Sequence, residues 1–292
     1  MKKTILIVDD IDVNLKLLEL ILKDKYNVLS ATNGSDAIEL VKNNHIDLIL
    51  LDIIMPNMTG YEVCEVLQQD IQTKHIPVIF ITSQIDEDSI IKGYEVGGVD
   101  YVTKPYKAME LLAKIKTHLK LKSLIEELEY VATHDTMTEI YNRREFFRLA
   151  KEKFKTTKND LYIVMIDIDN FKDINDTYGH DMGDKVIKEF AGLVKKHIKK
   201  DSVFGRIGGE EFALVCEFSN YEDLKLQLEN IRQSIENNCI IDGDKYIKFT
   251  ISIGLAKKCD KHNNIDEVLK EADKNLYQAK KDGKNKIVFR RR

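Results

Sequence analysis

"IDLILLDIIMP", residues 46–56, decides how the first half of the chain folds. Its apolar residues run without a break until Asp52 instead of alternating with polar ones. A strand wetted on one face alternates; an unbroken Ile/Leu run is buried on both. That is the signature of a parallel sheet covered by helices on two sides. The flanking sequence repeats the pattern. "TILIVDD" (4–10), "YNVLSA" (26–31), "IPVIFITS" (76–83) and "DYVTKP" (100–105) read as further strands. "NLKLLELILKD" (14–24), "GSDAIELVKNN" (34–44), "GYEVCEVLQQD" (60–70) and "DSIIKGYEVG" (88–97) carry helical spacing between them. The expectation is a doubly wound α/β unit of five parallel strands, with its ligand at the carboxyl ends of the strands.

Those ends carry Asp9, Asp10, Asp52, Thr82 and Lys104. Three carboxylates at one sheet edge repel, and a divalent cation with a preference for oxygen, such as Mg²⁺, neutralises them. A lysine and a hydroxyl beside it suit a phosphoryl group. One strand-end Asp reads as a solvated loop residue; five polar groups from different strands read as a site.

Composition sets outer limits. The 292 residues are long enough for two domains with real cores, and the net charge of −4 gives no bulk attraction to nucleic acid or to an anionic membrane. No apolar run approaches the roughly 18 residues of a spanning helix. "MKKTILIVDDID" reads as a first strand rather than a leader, and the expectation is a cytoplasmic protein. Cys64, Cys216, Cys239 and Cys259 show no paired spacing, as expected of reduced thiols. Residues 1–120 hold 13 Lys, no Arg and 18 acidic residues, while no Pro follows Pro105. That shift separates two units, expected at 1–120 and 133–292. Between them, 121–132 continues a helix running from Ala108 to Val131, about 36 Å long. Leu112, Ile115 and Leu119 form a first apolar seam suited to the unit's own sheet. Leu121, Leu124, Leu128 and Val131 form a second, at a/d spacing, suited to a short dimeric stalk.

In the second unit, "LYIVMIDIDNFKDINDTYGHDMGDKVIKEFAGLV" (161–194) begins as a strand and ends as an amphipathic helix. Asp167 and Asp169 alternate onto one face at the strand end, which is metal-ligand spacing. "VFGRIGGEEFALVCEF" (203–218) reads as a hairpin. Its Gly208-Gly209 turn explains neither Glu210 nor Glu211. If its strand pairs near the first, both glutamates come close to Asp167 and wall a metal site. Such a site suits phosphoryl or nucleotidyl transfer. Asn175 and Asp184 offer acceptors matching the N1–H and N2–H₂ donors of guanine; Asp184 reads equally as the cap of a helix starting at Lys185. Lys280 and Lys284, four apart, suit a triphosphate or simply a solvated basic helix end.

Two resemblances now become specific. "IVDD", "LLDIIMPNMTG", "FITS" and "YVTKP" resemble a response-regulator receiver domain, with a flavodoxin-like fold. The resemblance implies that Asp52 is the phospho-acceptor, fed by a cognate histidine kinase. Asp9, Asp10 and the Ile54 carbonyl would help hold Mg²⁺ there, Thr82 and Lys104 would contact the phosphoryl group, and Tyr101 would be the switching aromatic.

"HDTMTEIYNRREF", "MIDIDNFKDINDTYGHDMGD", "RIGGEEF", "ISIGLA" and "ADKNLYQAKKDGKNKI" resemble a GGDEF domain of the diguanylate cyclase family. The resemblance implies an α+β, palm-like fold and conversion of two GTP into cyclic di-GMP and two pyrophosphates by a homodimer. Asp167, the Ile168 carbonyl and Glu210 would bind Mg²⁺ or Mn²⁺. Glu210 or Glu211 would help deprotonate the ribose 3′-hydroxyl, and Lys172 and Lys280 would stabilise phosphate charge. Asn175 and Asp184 would read guanine, and His180 would line the substrate site. Three departures stand out. Lys284 replaces a common Arg, Glu139 replaces the usual Gly, and Lys199 and Ser202 replace the Arg and Asp of a common product-inhibition motif. The reading is a phosphorylation-regulated cyclase, set against a non-catalytic GTP or cyclic di-GMP binding module and a plain dimerising scaffold.

Overall fold

A computed structural model describes residues 2–83, 87–157, 160–243 and 245–290. The chain divides into two compact units, 1–128 and 129–292. The first holds five strands, β1 (Thr4–Val8), β2 (Asn27–Ala31), β3 (Leu48–Asp52), β4 (Val78–Thr82) and β5 (Asp100–Thr103). They pair in the order β2-β1-β3-β4-β5, every pair parallel. Helices α1 (Asp12–Leu22), α2 (Gly34–Asn43), α3 (Gly60–Gln69), α4 (Glu87–Glu95) and α5 (Ala108–Thr133) complete the unit. Alternate residues of one strand feed two cores. Leu6, Val8, Ile49, Leu51 and Phe80 pack on one face, and Ile5, Ile7, Leu48, Leu50 and Ile81 on the other. This is why the sequence shows runs and not alternation. Truncating one of the large buried side chains, such as Phe80→Ala, costs about 3–5 kcal/mol.

Helix α3 starts where Thr59 and Glu62 form a reciprocal cap: Glu62 N–H donates to Thr59 Oγ1 at 3.3 Å and Thr59 N–H to Glu62 Oε2 at 2.7 Å. Helix α5 changes character along its length. Leu111, Ile115 and Leu119 are buried against the sheet. Lys122 follows, also buried, its ammonium donating to the carbonyls of Ile46 (3.4 Å) and Asp47 (3.3 Å). Burial pushes its pKa down, against the pull of Asp47 and Glu126. Leu121, Leu124, Leu128 and Val131 stay exposed.

The second unit contains α6 (Arg143–Thr156), β6 (Leu161–Ile168), α7 (Phe171–Tyr178), α8 (His180–His197), β7 (Val203–Arg206) and β8 (Glu211–Glu217). It continues with α9 (Tyr221–Asn237), β9 (Ile240–Asp242), β10 (Lys245–Ile247), β11 (Ile251–Lys257), α10 (Ile265–Lys281) and β12 (Ile287–Val288). The main sheet runs β12-β11-β6-β8-β7, with β6 antiparallel to both neighbours and β12 parallel to β11. All eight residues of β6 are buried because helices cover both faces. The core on one face includes Ile166, Val186, Phe190 and Phe212; the other includes Ile163, Met165, Ala213, Val268 and Leu276. Asn275 Nδ2 donates to Leu255 O at 2.8 Å inside that second core, fixing α10 on β11.

Residues 174–184 belong to two helices joined at Gly179, whose φ is +89°. The apolar spacing of Ile174 and Met182, both buried, is what sustains them. Glu139, at the usual glycine position, has φ +56°, in the left-handed region.

Candidate functional site

At the carboxyl edge of the first sheet, Asp9 and Asp52 are buried and Asp10 is exposed. Their ligand oxygens lie within 4.8 Å of one another, an acidic cluster typical of a receiver Mg²⁺ site. The all-oxygen donor set suits a hard divalent cation. Lys104 Nζ bridges Asp9 Oδ2 at 2.8 Å and Asp52 Oδ2 at 2.7 Å. Burial raises the pKa of Asp52, with Asp9 adding to it and Lys104 and the Ile54 N–H opposing. Burial works to lower the pKa of Lys104, but its two carboxylate partners outweigh that and hold it raised. The Ile54 side chain is exposed, beside the strand end.

Thr82 is buried at the end of β4, next to Ile81, the register partner of Asp52. Tyr101, on β5, is half-buried, edge-on to Tyr94 at 6.4 Å, with Lys114 Nζ 5.2 Å from its ring. Sequence reasoning missed Asn14. Its Nδ2 donates to both Asp9 oxygens, at 2.9 and 3.0 Å, and so aims that carboxylate. An amide in the first turn of α1, five residues after Asp9, was the available signal.

In the second unit, β6 and β8 bring Asp167 and Glu211 into register as direct partners. The β7–β8 hairpin closes tightly, Ile207 N–H and Gly208 N–H both donating to Glu211 O at 2.9 and 3.2 Å. A Cβ on Gly208 would lie 2.5 Å from Glu211 Oε2, so a side chain there would turn the exposed Glu211 carboxylate away from its present position. Arg206 pins the turn. Its Nε and Nη2 donate to Gly209 O at 3.0 and 2.8 Å, and its Nη1 reaches Asp135 Oδ2 at 3.3 Å. Glu210 is half-buried, Glu211 exposed, and neither has a cationic partner among the described residues.

Asp167 is buried, with Lys280 Nζ 2.7 Å from Oδ2. Burial raises its pKa to about 6, Lys280 works against the rise, and Glu210 and Glu211 add to it. Crowded carboxylates with one lysine among them fit a divalent cation as their neutraliser. Ile168 N–H meets Glu210 O at 3.4 Å, tying the strand end to the turn.

Asp169 is used differently from the pairing its spacing suggests. It is buried and accepts from Thr250 Oγ1 at 2.7 Å, Ser252 Oγ at 2.6 Å and Asn285 N–H at 3.0 Å. Its carboxylate thus anchors the turn after α10. Lys284 lies in that turn and not one helical turn beyond Lys280, because α10 ends at Lys281 and Gly283 reverses the chain at φ +103°. Lys284 Nζ bonds to Asn170 Oδ1.

Lys172 and His180 are exposed, Lys172 near the start of α7 and His180 at the start of α8. Asp184 is not a cap: it is exposed, four residues into α8, on the same side as His180 by spacing. Gly183 packs so closely on α7 that its Cβ would lie 1.9 Å from Asn175 Oδ1. That oxygen is buried, with no hydrogen-bond partner among the described residues. The close approach brings the Asn175 acceptor beside the turn of α8 that carries Asp184.

Residues 132–286 match the family model of the diguanylate cyclase GGDEF domain, and residues 5–116 that of the response regulator receiver domain. The response regulator PleD of Caulobacter vibrioides (strain NA1000 / CB15N) is 30% identical over 256 residues, covering 83% of this chain and 56% of that protein. The probable diguanylate cyclase DgcT of Escherichia coli (strain K12) is 37% identical over 172 residues, covering 58% of this chain and 38% of that one. The chain thus spans about half, or less, of the length of these relatives. The crystal structure of the coiled coil and GGDEF domain of DgcB from Caulobacter crescentus, in complex with c-di-GMP, superposes with a TM-score of 0.55 at 26% identity, covering 62% of this chain and 99% of that one. No helix among the described residues is long and apolar enough to cross a membrane.

Proposed function

The chain belongs to the GGDEF diguanylate cyclase family and carries a response-regulator receiver domain ahead of that domain, and we propose that it converts two GTP into cyclic di-GMP and two pyrophosphates under control of Asp52 phosphorylation. The observation that carries this reading is Asp167 facing Glu211 in register, with Glu210 beside them and an unrelieved surplus of negative charge. Asp167, the Ile168 carbonyl and Glu210 would hold Mg²⁺ or Mn²⁺, which would supply positive charge for the phosphates and lower the pKa of an attacking hydroxyl. Glu211, exposed at the head of β8, then accepts the ribose 3′-proton. Lys172, Lys280 and Lys284 meet the triphosphate charge. The buried, unpartnered Asn175 Oδ1 and the Asp184 carboxylate accept from the guanine edge, and His180 lines the same side of α8.

One such domain presents one GTP, so two must meet. The exposed stripe of Leu121, Leu124, Leu128 and Val131 supports a homodimer through α5. A receiver at 1–120 and a linker at 121–132 would pass the state of Asp52 to a cyclase at 133–292. A histidine kinase would supply the phosphoryl group to Asp52; Asp9, Asp10, Asp52 and the Ile54 carbonyl would hold Mg²⁺, which would neutralise the phosphoryl charge, with Thr82, Lys104 and Tyr101 reading the result. The test is to incubate the purified chain with GTP and Mg²⁺ and separate the products. Cyclic di-GMP and pyrophosphate support the cyclase; bound but unconverted GTP would leave a binding module instead.

A further inference from the structure

We infer that Cys259, His262 and Glu271 form a reactive-thiol site that exchanges with small anionic disulfides. The site lies at the opposite end of the sheet from the carboxylate cluster: β11 pairs Ser252 with Asp167 at one end and Lys257 with Tyr162 at the other, and Cys259 follows Lys257. Along α10, Glu271 and Lys280 are nine residues apart, about 14 Å.

The three side chains stand in the order of nucleophile, base and orienting group. Cys259 is exposed. Its Sγ lies 3.3 Å from Nδ1 of His262, a buried imidazole. Nδ1 also accepts the Cys259 backbone N–H at 3.1 Å, so the ring proton resides on Nε2, which faces Glu271 Oε2 at 3.3 Å. Glu271 is held by Lys261 at 3.2 Å. Burial works to raise its pKa, but Lys261 and His262 outweigh that and keep it lowered, hence ionised at neutral pH. An ionised carboxylate behind the imidazole stabilises the ring when it takes a second proton.

The thiol opens into a cleft of about 1010 Å³. Lys151 and Lys155 from α6 line it, with Lys258, whose ammonium donates to the carbonyls of Phe154 and Thr157, both at 2.7 Å. None of these three lysines has a carboxylate partner among the described residues. Lys257 is neutralised by Asp160 at 2.7 Å, and Asp260 and Asp266 offset part of the remaining charge. The balance is positive, which selects an anionic partner.

In the exchange the Cys259 thiol proton passes to His262 Nδ1, displacing the backbone N–H. The thiolate attacks one sulfur of the disulfide, the S–S bond breaks, and the departing thiolate takes the proton from Nδ1. One thiol and one disulfide become one mixed disulfide and one thiol.

The chain supplies its own controls. Cys64 and Cys216 are buried, which pushes their thiols up to about 12, while Cys239 is half-buried. The experiment follows thiolate release from 5,5′-dithiobis(2-nitrobenzoate), an anionic disulfide, on the folded full chain, with mass spectrometry assigning each modified cysteine. Cys259 should react about tenfold faster than Cys239. Cys259→Ser should remove the fast phase. His262→Gln should slow Cys259 about tenfold while Cys239 keeps its rate. Glu271→Gln, which retains the imidazole should His262→Gln unfold the protein, should slow Cys259 several-fold and flatten the pH dependence of its rate. Cystamine, a cationic disulfide, should lose the preference for Cys259 over Cys239. A Cys259 no faster than Cys239 would overturn the site, as would a fast Cys259 indifferent to both variants, which would mean exposure alone. Equal preference with cystamine would overturn the selection of anions.

Discussion

Lys280 Nζ lies 2.7 Å from Asp167 Oδ2, a lysine reaching off the end of α10 to a carboxylate buried on β6. It supplies a positive charge beside the buried Asp167, yet burial, with Glu210 and Glu211 adding to it, still holds the carboxyl up at a pKa of about 6. A bound divalent cation would relieve that crowding of carboxylates.

A carboxyl whose folded pKa stands above its unfolded value binds its proton more tightly in the folded state. Stability from that proton is fully present below the unfolded pKa and is lost as pH rises through about 6. Metal-free Asp167→Asn should thus melt higher than the parent at pH 8. The gap should narrow as pH falls through 6 and close near pH 4. Thermal unfolding in chelator across that range measures it; a gap that ignores pH would mean the carboxyl is not strained by its surroundings.

Glu139 stands at φ +56°, where a Cβ is crowded and glycine is not. Glu139→Gly should stabilise the second unit by about 1 kcal/mol. Chemical denaturation of the two proteins side by side checks this, and equal or lower stability would show that the turn gains more from the unfolded-state restriction of Glu than it loses in strain.

Asp52 is buried beside Asp9 and held by Lys104. Beryllofluoride or acetyl phosphate, with Mg²⁺, should raise both the dimer fraction and turnover, because pairing raises the effective concentration of one cyclase site near another. Asp52→Ala should remove both responses. Light scattering and the steady-state rate follow them together, and a retained response in Asp52→Ala would move the acceptor elsewhere.

Control by product should be weak. Lys199 Nζ donates to Glu217 O at 3.1 Å and lies 3.6 Å from the centre of the Phe218 ring, so its charge is already engaged. Ser202 offers no carboxylate. Arg206 is engaged as well, holding Gly209 O and Asp135. Lysine also lacks the planar fork of arginine. Micromolar cyclic di-GMP titrated into the assay should change the rate little; tight non-competitive inhibition lost in Lys199→Ala would contradict this.

The strand ends were legible because a buried parallel strand must stop where its apolar run stops, which placed Asp9, Asp52 and Thr82 at one edge. The hairpin was legible because Gly208-Gly209 separates two runs of β-formers, and the sheet register carried Glu211 to Asp167. Where one residue type serves two geometries, spacing fell short. Asp184 suits a cap or a helix face, and only the continuation of α8 back to His180 decides for the face. Lys284 keeps helical spacing from Lys280, but Gly283 ends the helix between them. Asp169 shares a face with Asp167 by alternation, yet two hydroxyls from a strand segment eighty residues away claim it. Lys122 reaches the carbonyls of Ile46 and Asp47 through tertiary packing that no local pattern encodes.

The most direct test of the central claim is Glu211→Gln assayed for turnover and for GTP binding in the same preparation. The substitution keeps size and shape, replaces one acceptor oxygen by an amide NH₂, and removes one charge beside Asp167. Turnover should fall at least about two orders of magnitude while the fold and GTP binding persist. Near-normal cyclic di-GMP production by a folded Glu211→Gln protein would contradict the account, because the glutamates would then be furniture of the turn and not its purpose.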